Sequence, residues 1–129
     1  MILKTTSEVL RIDLLASADP EMHTFISYVD VNRCNGKETP GCQDGLSNDT
    51  TVNTICAAPG ADTDRHIKSI IVFNDDNASA EIDIVLYDGT STYLLFRDAS
   101  AAGDLIQWTP QHGWQCLKST GYLAVTSHA

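Results

Sequence analysis

The stretch Ile70–Tyr87, IIVFNDDNASAEIDIVLY, decides how the chain folds. Both of its ends are rich in β-branched and aromatic residues, which favour strands. Between them, Asp75–Ala78 supplies side chains that accept turn geometry and bond their own backbone. The stretch therefore predicts two strands, Arg65–Asn74 and Ser79–Gly89, joined by a hairpin turn.

The acidic residues of this turn raise the alternative of a metal site. A calcium loop needs carboxylates at alternate positions, a glycine at its sharp turn and a distal bidentate glutamate. Asp75, Asp76 and Asn77 are consecutive, and no glycine lies among them. The chain also has no Cys-x-x-Cys pair and no histidine at zinc-finger spacing. We therefore expect a turn, and neither a metal ion nor another cofactor.

Strand-like segments continue on both sides of this stretch. In Ser7–Ala16, the residues Leu10, Ile12 and Leu14 alternate with other side chains at the two-residue period of a half-buried strand. No segment has a convincing helical period. The other segments of strand-like composition are Met22–Asn32, Asp49–Ala58, Thr90–Ala99, Ala101–Pro110, Gly113–Lys118 and Gly121–Ser127.

Two turn signals join later segments into hairpins. The dipeptide Asp88-Gly89 is a strong hairpin signal, and the segment 110–112 separates two further strands. Eight or nine short strands with Gly, Pro and Asx turns between them predict an all-β fold, an antiparallel, jelly-roll-like β-sandwich. A chain of 129 residues is expected to form a single domain, residues 1–129.

The charge of the chain limits its partners. Lys and Arg number 8 against 17 Asp and Glu, which gives a net charge of -9. Such a surface repels phosphate backbones, so we expect no nucleic acid partner. It would suit a basic protein surface, although it could equally serve only to keep the protein in solution. No apolar run approaches the ~18 residues of a membrane span, so we expect no membrane partner.

The polar segment Arg33–Asn48 contains several Gly and Pro residues and predicts a long exposed loop. Cys34 and Cys42 lie in it, and they could close a disulfide in oxidising surroundings or remain free thiols. Cys56 and Cys116 lie in apolar stretches, where cysteine packs as a small hydrophobic residue.

No catalytic motif is present, so we expect no enzyme. The sequence has no Gly-x-Ser-x-Gly elbow and no phosphate-binding glycine loop before a helix. Trp108 and Trp114 lie near a predicted hairpin tip, where exposed indoles could stack on sugar rings. The alternative is that both indoles plug the end of the sandwich or an interface.

Two long stretches together carry a resemblance. Residues 65–108 read RHIKSIIVFNDDNASAEIDIVLYDGTSTYLLFRDASAAGDLIQW, and residues 6–32 read TSEVLRIDLLASADPEMHTFISYVDVN. A strand leads through a polar turn to a strand ending near Tyr-Asp-Gly, and a further strand and a hairpin follow. In this order of strands and turns the chain resembles small virion structural proteins of tailed bacteriophages, of the capsid decoration or cement type.

The resemblance implies a structural protein that stabilises the phage head by filling gaps between capsomers, with no catalytic residues. It implies a homotrimer that binds the major capsid protein or another virion protein, with a tail, fibre or head-tail module as the alternative. A carbohydrate-binding module that uses the tryptophans is a third hypothesis, independent of the resemblance. Met1–Glu8 lacks the features of a signal peptide, so we expect synthesis in the host cytoplasm and a place in the virion. We expect partner contacts from an N-terminal arm, residues 1–8, and from the loop 33–48. The residues expected to contact the partner are Ile2, Leu3, Lys4, Lys37, Glu38, Trp108 and Trp114.

Overall fold

Eleven β-strands form the regular structure of the residues described by a computed structural model, which are 1–14, 22–47, 52–75, 78–119 and 123–125. No helix occurs in these ranges, and hence none that is long and apolar enough to cross a membrane. The strands are β1 (Ile2–Leu3), β2 (Val9–Leu14), β3 (Met22–Asn32), β4 (Glu38–Ser47), β5 (Asn53–Cys56), β6 (Thr63–Asn74), β7 (Ala80–Tyr87), β8 (Thr92–Ser100), β9 (Leu105–Thr109), β10 (Gly113–Leu117) and β11 (Leu123–Val125).

The strands form two antiparallel sheets. In the larger sheet the order is β11-β10-β9-β6-β3-β4, and β1 pairs with β6. The smaller sheet has the order β5-β2-β7-β8. The predicted all-β, antiparallel sandwich is confirmed, with eleven described strands where the sequence predicts eight or nine.

One cluster of buried side chains lies between the sheets. Leu10, Ile12 and Leu14 of β2 are at most 1 % exposed, so their predicted common face is the inner one. Across the core, Ile70 and Val72 of β6 are equally buried. Each such side chain contributes about 1.5–3 kcal/mol through its removal from water.

The predicted hairpin between β6 and β7 does not form. The two strands belong to different sheets, and the chain crosses from one sheet to the other after Asn74. The Asn74 side chain is fully buried, and its Nδ2 donates hydrogen bonds to the carbonyl oxygens of Ala78 and Ser100, both at 3.0 Å. Asp76 and Asn77 lie outside the described residues.

Both strands bury apolar side chains, from opposite sides of the core. Ile70 and Val72 are apolar side chains of β6, and Ile82 and Ile84 are apolar side chains of β7; all four lie in the core. In a hairpin, paired strands would present these side chains to the same side of one sheet. In the sandwich they pack against the opposite sheet, and both sets leave water together.

The two other predicted hairpins do form. Tyr87 pairs with Thr92, and β9 pairs with β10 around the 110–112 turn. The Asp88 Oδ1 accepts hydrogen bonds from the backbone N–H groups of Thr90 (2.9 Å) and Ser91 (2.7 Å). Gly89 has a φ of 97°, a left-handed conformation that favours glycine.

The predicted loop 33–48 is wrong, because Glu38–Ser47 is strand β4. It pairs with β3 over ten residue pairs, and only a short turn precedes it. β4 ends the order of the larger sheet, so most of its side chains are exposed on both faces. Its polar composition and Pro40 are typical of edge strands, where they discourage pairing with other chains.

The cysteine positions exclude the Cys34–Cys42 disulfide in this fold. Cys34 lies in the turn, whereas Cys42 is four residues into β4 from Glu38, roughly 13 Å along the strand. A disulfide requires Cα atoms about 4–7 Å apart. Both thiols are free and exposed.

The N-terminal segment is docked on the sandwich, so the predicted arm is also corrected. Leu3 pairs with Arg65 of β6, and the backbone N–H of Ile67 donates to the carbonyl oxygen of Met1 at 2.9 Å. The Leu3 side chain is fully buried in the core and is not available to a partner. Ile2, at 39 % exposure, and Lys4 remain on the surface.

The ion pair between Arg65 and Asp30 connects β6 with β3, and a further hydrogen bond from Arg65 connects both to the segment after β5. The Arg65 guanidinium donates to both carboxylate oxygens of Asp30 (2.8 and 3.0 Å) and to the carbonyl oxygen of Ala57 (2.8 Å). Its Cζ lies 4.0 Å from the centre of the Tyr28 ring. A Cβ on Gly41 would lie 2.6 Å from the Tyr28 ring, so only glycine fits there. The hydrogen bonds to Asp30 raise the pKa of Arg65 above its ordinary value.

We expect Arg65→Ala to lower the free energy of unfolding by about 3 kcal/mol, because it leaves the Asp30 carboxylate without its partner. Urea unfolding at pH 7 measures this. The control is Arg33→Ala, which removes an exposed guanidinium 3.3 Å from Asp64 and should cost much less. Equal losses in the two variants would contradict a locking role for Arg65.

Candidate functional site

The outer face of the larger sheet is unusually apolar. In β3, Met22, Thr24 and Ile26 point into the core, so His23 and Phe25 point outwards. Opposite His23 in the register lies Leu46 of β4 on one side and Phe73 of β6 on the other. Directly paired residues share a face of the sheet, so all of these side chains face outwards.

This row continues across the sheet. Phe73 pairs with Leu105 of β9, and Leu105 pairs with Leu117 of β10. In the neighbouring row, Phe25 pairs with Ile71 of β6. We call the six apolar outward residues the apolar strip; they are Phe25, Leu46, Ile71, Phe73, Leu105 and Leu117. His23 lies within it, between Leu46 and Phe73, and its Nε2 is 3.2 Å from the Asp75 carboxylate.

The strip is open to water. Leu46 is 50 %, Phe25 49 % and Leu117 41 % exposed, and the other three side chains are half-buried. A half-exposed phenylalanine alone presents on the order of 100 Å² of apolar surface. Contiguous apolar patches of a few hundred Å² are often interaction sites.

Polar side chains border the strip on both flanks. Gln107 and Gln115 continue the row of Phe25 and Ile71. On the β4 side, Asp44 pairs directly with Phe25. An apolar centre with a polar rim is the arrangement of a protein–protein interface.

A shallow recess of about 180 Å³ lies beside Phe25. Ser27 and Ser69 both line it, and their hydroxyl oxygens are 2.6 Å apart in a hydrogen bond. Cys42 and Asp44 of β4 also line it. Small side chains in the middle of a broad sheet thus leave a socket next to the strip.

The two tryptophans bridge the sheets. Trp108 pairs with Ile70, whose side chain lies in the core, and Trp114 pairs with Trp108, so both indoles face inwards. Trp114 stacks on Phe96 of the smaller sheet with ring centres 4.6 Å apart, and the Trp108 ring centre is 6.4 Å from that of Trp114. Both indoles pack against the core and are half-buried. This agrees with the alternative that they close the end of the sandwich, and not with indoles exposed for stacking on sugar rings.

Four of the predicted contact residues, Ile2, Lys4, Lys37 and Glu38, lie towards one end of the larger sheet, apart from Trp108 and Trp114. Lys37 and Glu38 are exposed where β3 turns into β4. The Arg33 guanidinium at this turn donates to the carbonyl oxygen of Lys4 at 3.3 Å, so the N-terminal segment lies beside it. The structure places these residues together but shows no partner, and their contact role stays a prediction.

The buried thiols are poor nucleophiles. Burial, together with the carboxylate of Asp98 at 2.8 Å from its sulfur, raises the pKa of Cys116 to about 12. Burial also raises the pKa of Cys56. Both thiols therefore stay protonated near neutral pH, and a thiolate is the reactive form.

No metal centre is found in the described ranges, where no three His, Cys, Asp or Glu side chains converge in a way that could hold an ion. Comparison of the chain with protein-family models, with curated proteins and with solved structures finds no significant match. The site is thus argued from its own geometry.

Sequence reasoning missed the apolar strip. The run Ile70–Phe73 is apolar at four consecutive positions, so both faces of β6 carry apolar side chains. That run already indicated an apolar outer face, because a strand whose outer face is in water alternates apolar with polar residues. Assigning the outer face still required the pairing partners of β6.

We expect Cys34 and Cys42 to react rapidly with Ellman's reagent at pH 8, and Cys56 and Cys116 only after unfolding, because the first pair is exposed and the second buried. Absorbance at 412 nm with and without denaturant measures this. The Cys34→Ser, Cys42→Ser double variant should lose the whole rapid phase. A rapid phase that persists in it would contradict the burial of the other two thiols.

Proposed function

We propose that this protein is a non-enzymatic structural component of a bacteriophage virion, a capsid decoration protein that binds the phage head through the apolar strip. The exposure of that strip on a broad, regular sheet carries the proposal. The resemblance of the chain to small phage virion proteins supplies the identity of the partner, the major capsid protein, and the homotrimeric state.

The geometry suits adhesion. A typical stable interface buries ~800 Å² on each partner and has an apolar centre with a polar rim. The strip can form that centre, with Gln107, Gln115 and Asp44 at the rim. Because the strip lies on a hydrogen-bonded sheet backed by the core, docking orders little backbone, and the entropic cost of binding stays low.

The charge of the protein favours a basic partner. The chain carries a net charge of -9, and Asp44 at the border of the strip forms no ion pair with a described residue. Opposite charge on a capsid surface would accelerate docking and fix its orientation.

A sugar-binding role has weaker support. One face of the Trp114 indole is occupied by Phe96, so stacking on a sugar would use only the remaining edge or face. No second role is proposed on this ground.

Immunogold electron microscopy of purified phage particles tests the location. We expect label over the whole head. Label confined to the tail would identify the protein as a tail or fibre component and overturn the decoration role. Particles that carry no label would overturn the virion assignment altogether.

We expect Leu46→Asp to reduce binding to decoration-free heads by at least about tenfold, because a carboxylate at this apolar position of the strip would lose its water on docking. Leu94→Asp is the matched control: Leu94 is 52 % exposed against 50 % for Leu46, but it lies on the smaller sheet. Co-sedimentation with heads measures binding, and thermal unfolding checks that both variants fold.

The solution mass distinguishes two uses of the strip. We expect Leu46→Asp to keep the assembly of three chains of 14.0 kDa each while it loses binding to heads. If the variant instead becomes monomeric, the strip joins copies of the protein to each other. Equal effects of Leu46→Asp and Leu94→Asp would contradict docking through the strip.

A further inference from the structure

The recess beside the strip combines a mainly apolar lining with one acidic residue, Asp44. Its wall on the β3 side is the half-exposed ring of Phe25, and the carboxylate of Asp44 lies on the directly paired residue. Paired Cβ atoms in an antiparallel sheet are about 5 Å apart, so both groups reach the same guest. The recess is open to solvent and has a volume of about 180 Å³.

The polar side chains of the recess can accept hydrogen bonds. Ser27 and Ser69 share one hydroxyl hydrogen bond, which leaves lone pairs on both oxygens. Gln43 pairs with the inward Ile26 and its Oε1 accepts the backbone N–H of Ala57 at 2.8 Å, so its side chain lies on the face of β4 opposite Asp44. None of the residues that line the recess is cationic.

These features select among guests. An anion would meet the Asp44 carboxylate without a compensating cation. A divalent metal would find only one carboxylate, fewer ligands than calcium or magnesium requires. A purely apolar side chain would take the Asp44 carboxylate out of water without giving it a partner, which is costly.

We propose that the recess receives one arginine side chain from the surface of the partner protein. A guanidinium is planar, stacks on an aromatic ring and donates two parallel hydrogen bonds to a carboxylate. Phe25 supplies the ring, Asp44 the carboxylate, and Ser27 and Ser69 the remaining acceptors. Lysine is a compact point charge and matches the ring and the carboxylate less well.

The place of the socket explains its value to binding. It adjoins the apolar strip, so docking of the strip would exclude water from the guanidinium and strengthen its pairing with Asp44. Arginine is enriched at the few residues that dominate binding energy in interfaces. This inference rests on the proposed function for its partner, because the arginine is taken to project from the surface that the strip binds.

Titration of the intact protein with N-acetyl-arginine-N-methylamide, followed in ¹H–¹⁵N spectra, tests the socket without the partner. We expect saturable shifts centred on the amides of Phe25, Ser27, Asp44 and Ser69. The citrulline analogue has the same shape but no charge and should bind about tenfold more weakly, because it loses the charge-assisted pair with Asp44. The lysine analogue should lie between the two.

Asp44→Asn should weaken arginine binding about tenfold, since it removes the charge but keeps the shape. Glu81→Gln is the matched control, because Glu81 is an exposed acid on the smaller sheet. The socket is overturned if citrulline binds as well as arginine, if Asp44→Asn binds unchanged, or if no shifts occur at the recess.

The result is separable from the proposed function. Arginine binding at the recess by a protein that binds no phage head would leave the socket standing and refute the decoration role. Binding to heads that survives Asp44→Asn, with no arginine binding at the recess, would refute the socket alone.

Discussion

The buried side-chain amide of Asn74 holds the chain where it passes from one sheet to the other. Its inward orientation also determines which side chains of β6 lie in the core and which lie on the outer face. Its side chain bonds the carbonyl oxygens of Ala78 and Ser100, while its backbone exchanges hydrogen bonds with Gly103 and Asp104. Strand side chains alternate between faces, so an inward Asn74 places Val72 inwards and Phe73 outwards. A shift of one residue at this point would exchange the core and the outer face along β6.

The apolar strip is a direct consequence of that register. β6 pairs with β3 on one side and with β9 on the other. Phe73 is directly paired with Leu105, and Leu105 with Leu117, so all three side chains lie on the outer face. The exposed edge strand β4 then brings Leu46 and Asp44 alongside. An apolar surface and the recess with its carboxylate thus lie on the same face of one sheet. A single partner surface could contact both, as the proposed binding role requires.

Several potentially reactive groups are engaged in the structure itself. The Arg65 guanidinium and the buried thiols of Cys56 and Cys116 each have a structural partner or a buried setting that suppresses reactivity. The indole of Trp114 closes the sandwich against Phe96. The side chains of the strip and of the recess beside it remain accessible.

The amino-acid sequence by itself determined the properties that depend on near neighbours. Alternation at Leu10, Ile12 and Leu14 was enough to orient a strand, and Asp88-Gly89 was enough to place a hairpin, because side-chain periodicity and turn geometry are local. Only the tertiary structure decided which strands pair. It separated β6 from β7, made a strand of Glu38–Ser47, buried Leu3 and assembled the apolar strip from five strands. The physical reason is that pairing is chosen by how much apolar surface the whole chain buries, and that quantity cannot be read from any one segment.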